Sequence, residues 1–498
     1  MAGLTRGYFL KAAVIGIAAV SILGCGRLMT VDRSQRSSQP NILFIVVDGL
    51  NDCTGCLGGK PQAKTPNIDS LAKRGTLFTN AYCAACGSLN SRLIVLTGLW
   101  AGEDGEKSYR WANAITYWRT QSPVLKKVLT IPEYFKANGY EVIGSGKIFS
   151  GNLWKNENGW YRNQNDFTIW DSYFPPKAKS VLDFFLPSAV VDNNGTVSWQ
   201  PAPNGPKHLV HPSDFDWAAI DYPDSRTADY KIVSWTIDEL RKNHKKPFFL
   251  AVGLSASEVS WFIPKEYFEM YPLDHVQLPP IVQNDINDIP PGVREFVPDE
   301  SYKQIVKNNL LKNAVQAYLA GTTYIDAQVG RLIDALDKSR YAENTIIVLL
   351  SDRGFLLGQK EHWGDAALWG KSTHVPLIII APSAGKPYSR CSRAVSLIDI
   401  YPTLIDLCKM KPQANLAGES LVPLLSNPQA HRETPAITIC GDIIHSVRTE
   451  RWSYIKYRDG SEELYDHQAD PCEFTNLAGR PEYDHIKLEL FAWIPENK

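Results

Sequence analysis

The sequence has 498 residues, of which 44% are hydrophobic and 21% are charged, a composition typical of a globular protein with a large core. The formal net charge is −1, so the overall charge gives no basis for nucleic-acid binding. The length suits one large domain followed by a smaller one better than several equal units.

The N-terminal segment has the features of an export signal. Arg6 and Lys11 precede the apolar run AAVIGIAAVSILG, which has the length of a signal-peptide core and is short for a membrane span. The run leads into ILGC, so a small residue precedes Cys25, as at a bacterial lipoprotein cleavage site. We predict an export signal over 1–25 and a linker over 26–40, with a lipid on Cys25 anchoring a periplasmic or cell-envelope protein to the membrane. An uncleaved anchor helix is the alternative.

Apolar runs and helical patterns alternate along the chain. In chain order they predict a strand at 41–47, a helix at 65–75, a strand at 76–83, helices at 91–98 and 131–139, a strand at 140–147, a helix at 228–243, a strand at 247–255, a helix at 311–336, and strands at 344–352 and 375–382. Continuously apolar strands are typical of parallel sheets that are covered on both faces.

This order predicts an α/β fold in which a large mixed, mostly parallel sheet is flanked by helices, over 41–430. After Pro435 the pattern changes, and SVRTERWSYIKYRDGSEELYDH alternates like short antiparallel strands. We therefore predict a small C-terminal antiparallel-sheet subdomain over 431–498.

Four cysteines form two C-x-x-C pairs, Cys53 with Cys56 and Cys83 with Cys86. The spacing alone is that of a zinc site. The pairs lie in a strand–loop–helix context rather than in short knuckles, which favours buried thiols or, in an oxidising compartment, a disulfide. The sequence leaves the pairing open.

Three polar residues lie at the C-terminal ends of predicted strands: Asp48, Lys147 and Asp352. Open α/β sheets place their functional sites at this edge. In NAYCAACGSLNSRLIVLTG, Ser88 and Arg92 lie at the start of a helix, where a nucleophile benefits from the helix dipole and from free N–H groups. A helix cap is the alternative role for Ser88.

These residues resemble the sulfatase family, especially its iduronate-2-sulfatase-like branch, which has the alkaline phosphatase superfamily fold. The likeness covers nearly the whole mature chain and rests on motifs that occur in the family's order: PNILFIVVDGLND, CLGGKPQAKTPNIDSLAKRGTLFTNAYC, LTGL, GKIF, KPFFLAVG, SDRGFLLGQKEHWG and HSVRTERWSYIKYRDGSEELYDHQADP. The resemblance implies hydrolysis of sulfuric esters with a calcium ion and a formylglycine nucleophile.

The family's calcium positions are substituted in this sequence. Where the family has an Asp-Asp pair and an Asp-His or Asp-Asn pair, this chain has Asp48-Gly49 and Asp352-Arg353. Calcium requires six to eight oxygen ligands, Gly49 offers no side-chain oxygen, and Arg353 is a permanent cation with donors only. We predict that Arg353 lies between the two aspartates in place of the ion.

The family makes formylglycine from Cys or Ser in a Cys/Ser-x-Pro/Ala-x-Arg motif. Here the motif reads Ser88-Leu89-Asn90-Ser91-Arg92, so the serine and the arginine match, and Asn90 departs from the pattern. An unmodified Ser88 accepts a sulfuryl group at most once, because it has no second hydroxyl with which to expel the sulfate.

The family's acid, base and sulfate-binding positions are only partly retained. Lys147 matches the lysine of the family, but the positions of two histidines and a later lysine hold Ser150, Glu258 and Asp365. A sulfate site requires a proton donor or a cation at such places. His445, in HSVRTERW, is a candidate substrate contact, and a packing role is the alternative.

Three functions compete. The first is a sulfatase-fold protein with a degraded site, little or no turnover and a binding or scaffold role, whose ligand is a sulfated polysaccharide or sugar. The second is an active serine-type sulfatase that hydrolyses sulfate esters of polysaccharides with formylglycine made from Ser88. The third, a phosphatase using Ser88 directly, lacks the cluster of metal ligands that a two-metal site needs. The joint substitution of six family positions favours the first.

The lipoprotein hypothesis predicts the behaviour of one variant. We expect Cys25→Ala to move the protein from the membrane fraction to the soluble fraction, because the residue that receives the lipid is removed. Cell fractionation followed by immunoblotting measures this change. Equal partitioning of the variant and the parent protein would contradict the anchor.

Overall fold

The computed structural model describes residues 39–494 except 61, 101–118, 120–122, 150–152, 157–158, 163–165, 176–188, 192–196, 200–216, 258–260, 295–296, 298, 366 and 441–443. The predictions for the export signal, for Cys25, for Ser150 and for Glu258 lie outside the described residues.

The strands and helices of the described residues follow the predicted alternation. The strands are β1 Asn41–Val47, β2 Thr76–Phe78, β3 Ala81–Tyr82, β4 Glu141–Gly146, β5 Leu153–Asn156, β6 Gly159–Arg162, β7 Ser172–Phe174, β8 Ala189–Val191, β9 Val197–Trp199, β10 Trp217–Ile220, β11 Phe248–Leu254, β12 Trp261–Pro264, β13 Thr345–Ser351, β14 Leu356–Leu357, β15 Trp363–Gly364, β16 Leu377–Ile380, β17 Ser389–Cys391, β18 Val395–Ser396, β19 Ala436–Cys440, β20 Ile444–Arg448, β21 Trp452–Lys456 and β22 Glu462–Asp466. The α-helices are α1 Pro66–Ala72, α2 Ser88–Thr97, α3 Pro123–Lys127, α4 Ile131–Ala137, α5 Ala228–Arg241, α6 Lys265–Glu269, α7 Pro291–Arg294, α8 Glu300–Lys307, α9 Leu311–Asp337, α10 Gly370–Thr373, α11 Ile400–Leu407, α12 Val422–Ser426 and α13 Asp484–Phe491.

The main sheet has eight strands in the order β17-β2-β16-β13-β1-β11-β4-β7. Only β16 runs against the others, because it pairs antiparallel with both β13 and β2 while the remaining pairs are parallel. The predicted mixed, mostly parallel sheet is confirmed. Its register aligns Val47 with Ser351 on one side and with Leu254 on the other, so the strands β13, β1 and β11 end level with one another.

Helices cover both faces of this sheet, and β1 shows why. Its side chains alternate between the two faces, and each is at most 6% exposed. Phe44 packs in the core that contains residues of α2, α4 and α11, whereas Ile45 packs in the core that contains residues of α1, α5 and α9. No helix among the described residues combines the length and the apolar character that crossing a membrane requires.

Strands β19 to β22 form a four-stranded antiparallel sheet, which confirms the predicted C-terminal sheet. The subdomain boundary at residue 430 stays a prediction. The first strand of this sheet joins the segment that precedes α2: Ile439 N–H donates to Ala84 O at 3.1 Å, and Cys86 N–H donates to Ile439 O at 2.9 Å.

A disulfide between Cys86 and Cys440 closes this junction. Cys53, Cys56 and Cys83 are free thiols, so neither C-x-x-C pair is bridged internally. The sequence left the pairing open, and Cys86 pairs with a residue 354 positions away. Spacing could not reveal this partner, because the contact depends on how β19 docks.

Candidate active site

The ends of neighbouring strands bring three predicted site residues together. Asp352 follows β13, Asp48 follows β1, and Lys147 follows β4, one strand beyond β11. The sheet bonding continues into these residues, since Asp48 N–H donates to Leu254 O at 3.0 Å and Asp352 N–H donates to Val47 O at 3.0 Å. The carboxylates are therefore held side by side at the edge where open α/β sheets carry their sites.

Helix α2 adds the serine and the arginine of the motif. The Ser88 hydroxyl donates to Asp352 Oδ2 at 2.6 Å, and Arg92 Nε donates to the same oxygen at 2.6 Å. Ser91 ties the helix to the strand end by donating to the Asp352 carbonyl at 2.6 Å. The capping alternative for Ser88 is wrong: Gly87 occupies the N-cap position with no side-chain cap, and Ser88 is the first helical residue.

Arg353 lies between the carboxylates, in the position predicted for it. Its Nη1 is 2.6 Å from Asp48 Oδ1 and 3.8 Å from Asp352 Oδ1, and its Nε donates to Asp365 Oδ2. The other oxygen of Asp48 contacts the Lys147 ammonium. Asp48 therefore lies between Lys147 and Arg353, and Arg353 lies between Asp48 and Asp365.

The cluster is buried except on one side. Asp48 and Asp352 are 0% exposed, and Arg92 and Arg353 are at most 3% exposed. The Asp365 carboxylate is 30% exposed, and Ser88 is also partly accessible. Solvent therefore reaches the cluster at the predicted nucleophile and at the position where the family has a lysine.

The described donor set does not fit a calcium ion. Asp48 contacts Arg353 and Lys147 through its two oxygens, and Asp352 accepts from Ser88 and Arg92 on one oxygen and from Gly49 N–H at 3.2 Å on the other. Across the described part of the chain, no group of three or more His, Cys, Asp or Glu side chains is arranged to hold a metal. This also gives no support to a zinc site at the C-x-x-C pairs.

Gly49 and Arg353 compete for the same space. A Cβ at position 49 would lie 2.9 Å from Arg353 Nη1, and Gly49 has φ +69°, a conformation that favours glycine. A side chain at position 49 therefore requires Arg353 to move. The residues at positions 49 and 353 are therefore physically coupled. The sequence alone shows them only as two separate departures from the family pattern.

A second ion pair, which the sequence motifs did not predict, lies near the same strand end. Asp52 contacts the Lys371 ammonium, and His374 Nδ1 is 3.6 Å from the same carboxylate. Burial alone would raise the pKa of Asp52, but Lys371 and His374 outweigh it and hold that pKa well below its usual range. The available signal was the second aspartate of VVDGLND together with the lysine and histidine of GKSTH.

His445 lies on β20, is 2% exposed and pairs in register with Ile439. Ile439 lies on β19 and is hydrogen-bonded to the segment before α2. Strand β20, which carries His445, is therefore separated from that segment by β19. Its role as a substrate contact stays a prediction.

Sequence comparison identifies the class of protein that this fold and site define. The family model described as Sulfatase matches residues 40–410, and the model described as N-sulphoglucosamine sulphohydrolase, C-terminal, matches residues 358–497. The chain belongs to the sulfatase family, so the resemblance read from its motifs is confirmed.

Individual relatives extend over most of the chain. It is 32% identical over 501 residues to a protein named sulfatase from Formosa agariphila, covering 98% of this chain and 92% of the relative. It is 31% identical over 433 residues to human iduronate 2-sulfatase, covering 79% of this chain and 72% of that protein. A protein solved with its substrate D-glucosamine-2-N,6-O-disulfate is 21% identical with a TM-score of 0.67, covering 92% of this chain and 97% of that one, which confirms the fold.

The geometry predicts the cost of removing Arg353. We expect Arg353→Ala to lower the free energy of unfolding by about 3–5 kcal/mol, because it leaves the buried Asp48 without its guanidinium partner. Urea denaturation measures the change. The matched control is Arg74→Ala, which breaks an ion pair with Asp337 whose side chains are 35% and 43% exposed and should cost less than about 1 kcal/mol. Equal losses in the two variants would contradict a structural role for Arg353.

Proposed function

We propose that this sulfatase-family protein binds sulfated saccharides at the cell envelope with little or no turnover. The observation that carries the proposal is the Arg353 guanidinium, 2.6 Å from Asp48 at the position where the resemblance implies calcium. A guanidinium supplies charge but has no empty coordination position for a sulfate oxygen. The carboxylates that would attract a metal are neutralised by side chains instead.

The charge around the predicted nucleophile also supports low turnover. Asp365 occupies the place of a family lysine, and its carboxylate faces solvent next to Arg353. A carboxylate there repels a sulfate ester. It also forms an internal ion pair with Arg353, which neutralises the charge of that guanidinium. The sequence adds a second carboxylate at Glu258 and removes a histidine at Ser150.

The proposed ligand class comes from the relatives. One is human iduronate 2-sulfatase, another is named an ulvan-active sulfatase from Formosa agariphila, and a third is an N-acetylglucosamine-6-O-sulfatase from Bacteroides thetaiotaomicron. All three names refer to sulfated sugars. We extend that class of ligand to this chain, together with the predicted export and lipid anchoring at Cys25.

The second candidate is an active serine-type sulfatase. The observation in its favour is that Ser88 begins helix α2, is accessible, and lies 2.6 Å from Asp352 beside an intact Arg92. Conversion of Ser88 to formylglycine would give the hydrated aldehyde the second hydroxyl that release of sulfate requires. This candidate depends on recognition of a motif that contains Asn90.

Calcium distinguishes the two candidates. We expect that the purified protein holds no stoichiometric calcium, that calcium leaves its melting temperature unchanged, and that it does not hydrolyse an aryl sulfate, because the guanidinium occupies the ion's place. Elemental analysis after dialysis, thermal unfolding and a chromogenic assay measure these properties. Near one equivalent of calcium would overturn the proposal.

The double variant Gly49→Asp with Arg353→His provides the matching test of the same site. It restores a carboxylate and removes the competing cation, so calcium should raise its melting temperature by several degrees. Gly49→Asp alone should gain no calcium response, because it displaces the Arg353 side chain without removing that cation from the site.

The state of Ser88 is a separate measurement. We expect most copies from the native host to carry an unmodified serine, because Asn90 departs from the motif. Mass analysis of the peptide that contains Ser88 reports this directly. Asn90→Pro should increase conversion where the maturation enzyme is present, and position 90 lies in the first turn of α2, where proline is tolerated. Formylglycine in most copies of the parent protein would favour the active sulfatase.

A further inference from the structure

A cavity of about 480 Å³ lies beside the C-terminal sheet, apart from the residues of the ion cluster. Its walls include two aromatic side chains, Trp369 and Tyr457, and part of its lining is Cys440, which is bonded to Cys86 just before Ser88. The volume lies within the range of small-ligand sites. No sequence motif predicted this cavity.

A buried carboxylate fixes the aromatic walls. Glu463, which is 0% exposed, accepts a hydrogen bond from Trp369 Nε1 at 2.9 Å and another from the Tyr457 hydroxyl at 2.6 Å. A third comes from the Tyr465 hydroxyl at 2.5 Å. Because these bonds satisfy the polar atoms of both wall residues, the rings are held in place. Tyr457 is the partly exposed ring of the two, whereas Trp369 is only 5% exposed and backs the wall.

The charges on the cavity wall balance one another. Arg458 and Asp459 contribute one charge of each sign, and His362 lies within 3.0 Å of Asp299. A site selective for an isolated sulfate would need an excess of cations. Fixed aromatic rings with a few balanced polar groups suit a ligand that has a C–H face and a rim of hydroxyl groups.

We propose that the cavity walled by Trp369 and Tyr457 binds a pyranose ring of a saccharide chain, with the ring's C–H face against Tyr457, the more exposed of the two aromatic side chains. This inference rests on the proposed function for the class of saccharide and adds the place where it binds. Arg458 and Asp459, which line the same cavity and are exposed, provide a donor and an acceptor for the hydroxyls. Recognition through the ring explains how a saccharide is held without a sulfate-binding calcium.

The test uses two heparin-derived tetrasaccharides, one with 2-O-sulfated iduronate and one chemically desulfated, titrated into the parent protein by calorimetry. We expect both to bind. Tyr457→Ala should weaken both about tenfold by removing one aromatic wall, and Tyr457→Phe should bind within about threefold of the parent, because the ring remains. Tyr388→Ala, which removes a tyrosine that is 76% exposed elsewhere, should change neither affinity.

Saturation-transfer NMR separates a binding role from a general loss of structure. Irradiation of the aromatic protons should transfer saturation to the C–H protons of one pyranose in the parent and in Tyr457→Phe, and should do so weakly in Tyr457→Ala. The melting temperature of Tyr457→Ala should match that of Tyr457→Phe, because both variants lose the hydrogen bond to Glu463. Failure of the parent to bind either tetrasaccharide, or equal affinity of Tyr457→Ala and the parent, overturns the inference. Hydrolysis of the sulfated tetrasaccharide would refute low turnover and leave the cavity's role intact.

Discussion

The pairing of Arg353 with Asp48 is the interaction on which the rest of the site depends. Two carboxylates at adjacent strand ends cannot both stay buried and ionised without a cation between them. In the family pattern, three carboxylates and a divalent ion leave one net negative charge, and here Asp48, Asp352 and Arg353 leave the same net charge. The net charge at these three positions thus equals the one that the resemblance implies, although a guanidinium, unlike a bound ion, cannot exchange ligands.

Sheet topology explains why this balance must be maintained. Strands β13 and β1 end in register, and their next residues, Asp352 and Asp48, are fixed by backbone bonds to neighbouring strands. Both carboxylates are 0% exposed at this edge and therefore need cationic partners. Arg92 on α2 and Lys147 directly after β4 supply two of them, so these cations are carried by or next to regular elements. Such a network holds the fold together at this edge even if it performs no chemistry.

The sequence predicted what local patterns and a family motif can specify. Continuous apolar runs located the central strands, and the residues after them identified Asp48, Lys147 and Asp352. The position of Arg353 followed from its motif and its charge. The disulfide from Cys86 to Cys440 and the Glu463 arrangement could not be predicted, because each joins segments whose contact arises only from docking of the C-terminal sheet. The motifs contain the residues of the Asp52–Lys371 pair, but which of them meet depends on how distant segments pack. Periodicity carries no information about such partners.

The ion cluster and the cavity are separate physical parts with different requirements. Catalysis of sulfate transfer requires charge stabilisation of the developing oxyanions and correctly placed proton donors, and these requirements fall on the residues at the strand ends. Binding of a sugar ring requires a fixed aromatic surface, which Glu463 maintains through hydrogen bonds that do not involve the cluster. The Cys86–Cys440 bond attaches the cavity wall to the segment before Ser88, so the cavity keeps its place relative to the strand ends. Because the hydrogen bonds of Glu463 involve no residue of the ion cluster, a substitution in the cluster leaves the support of the cavity wall intact.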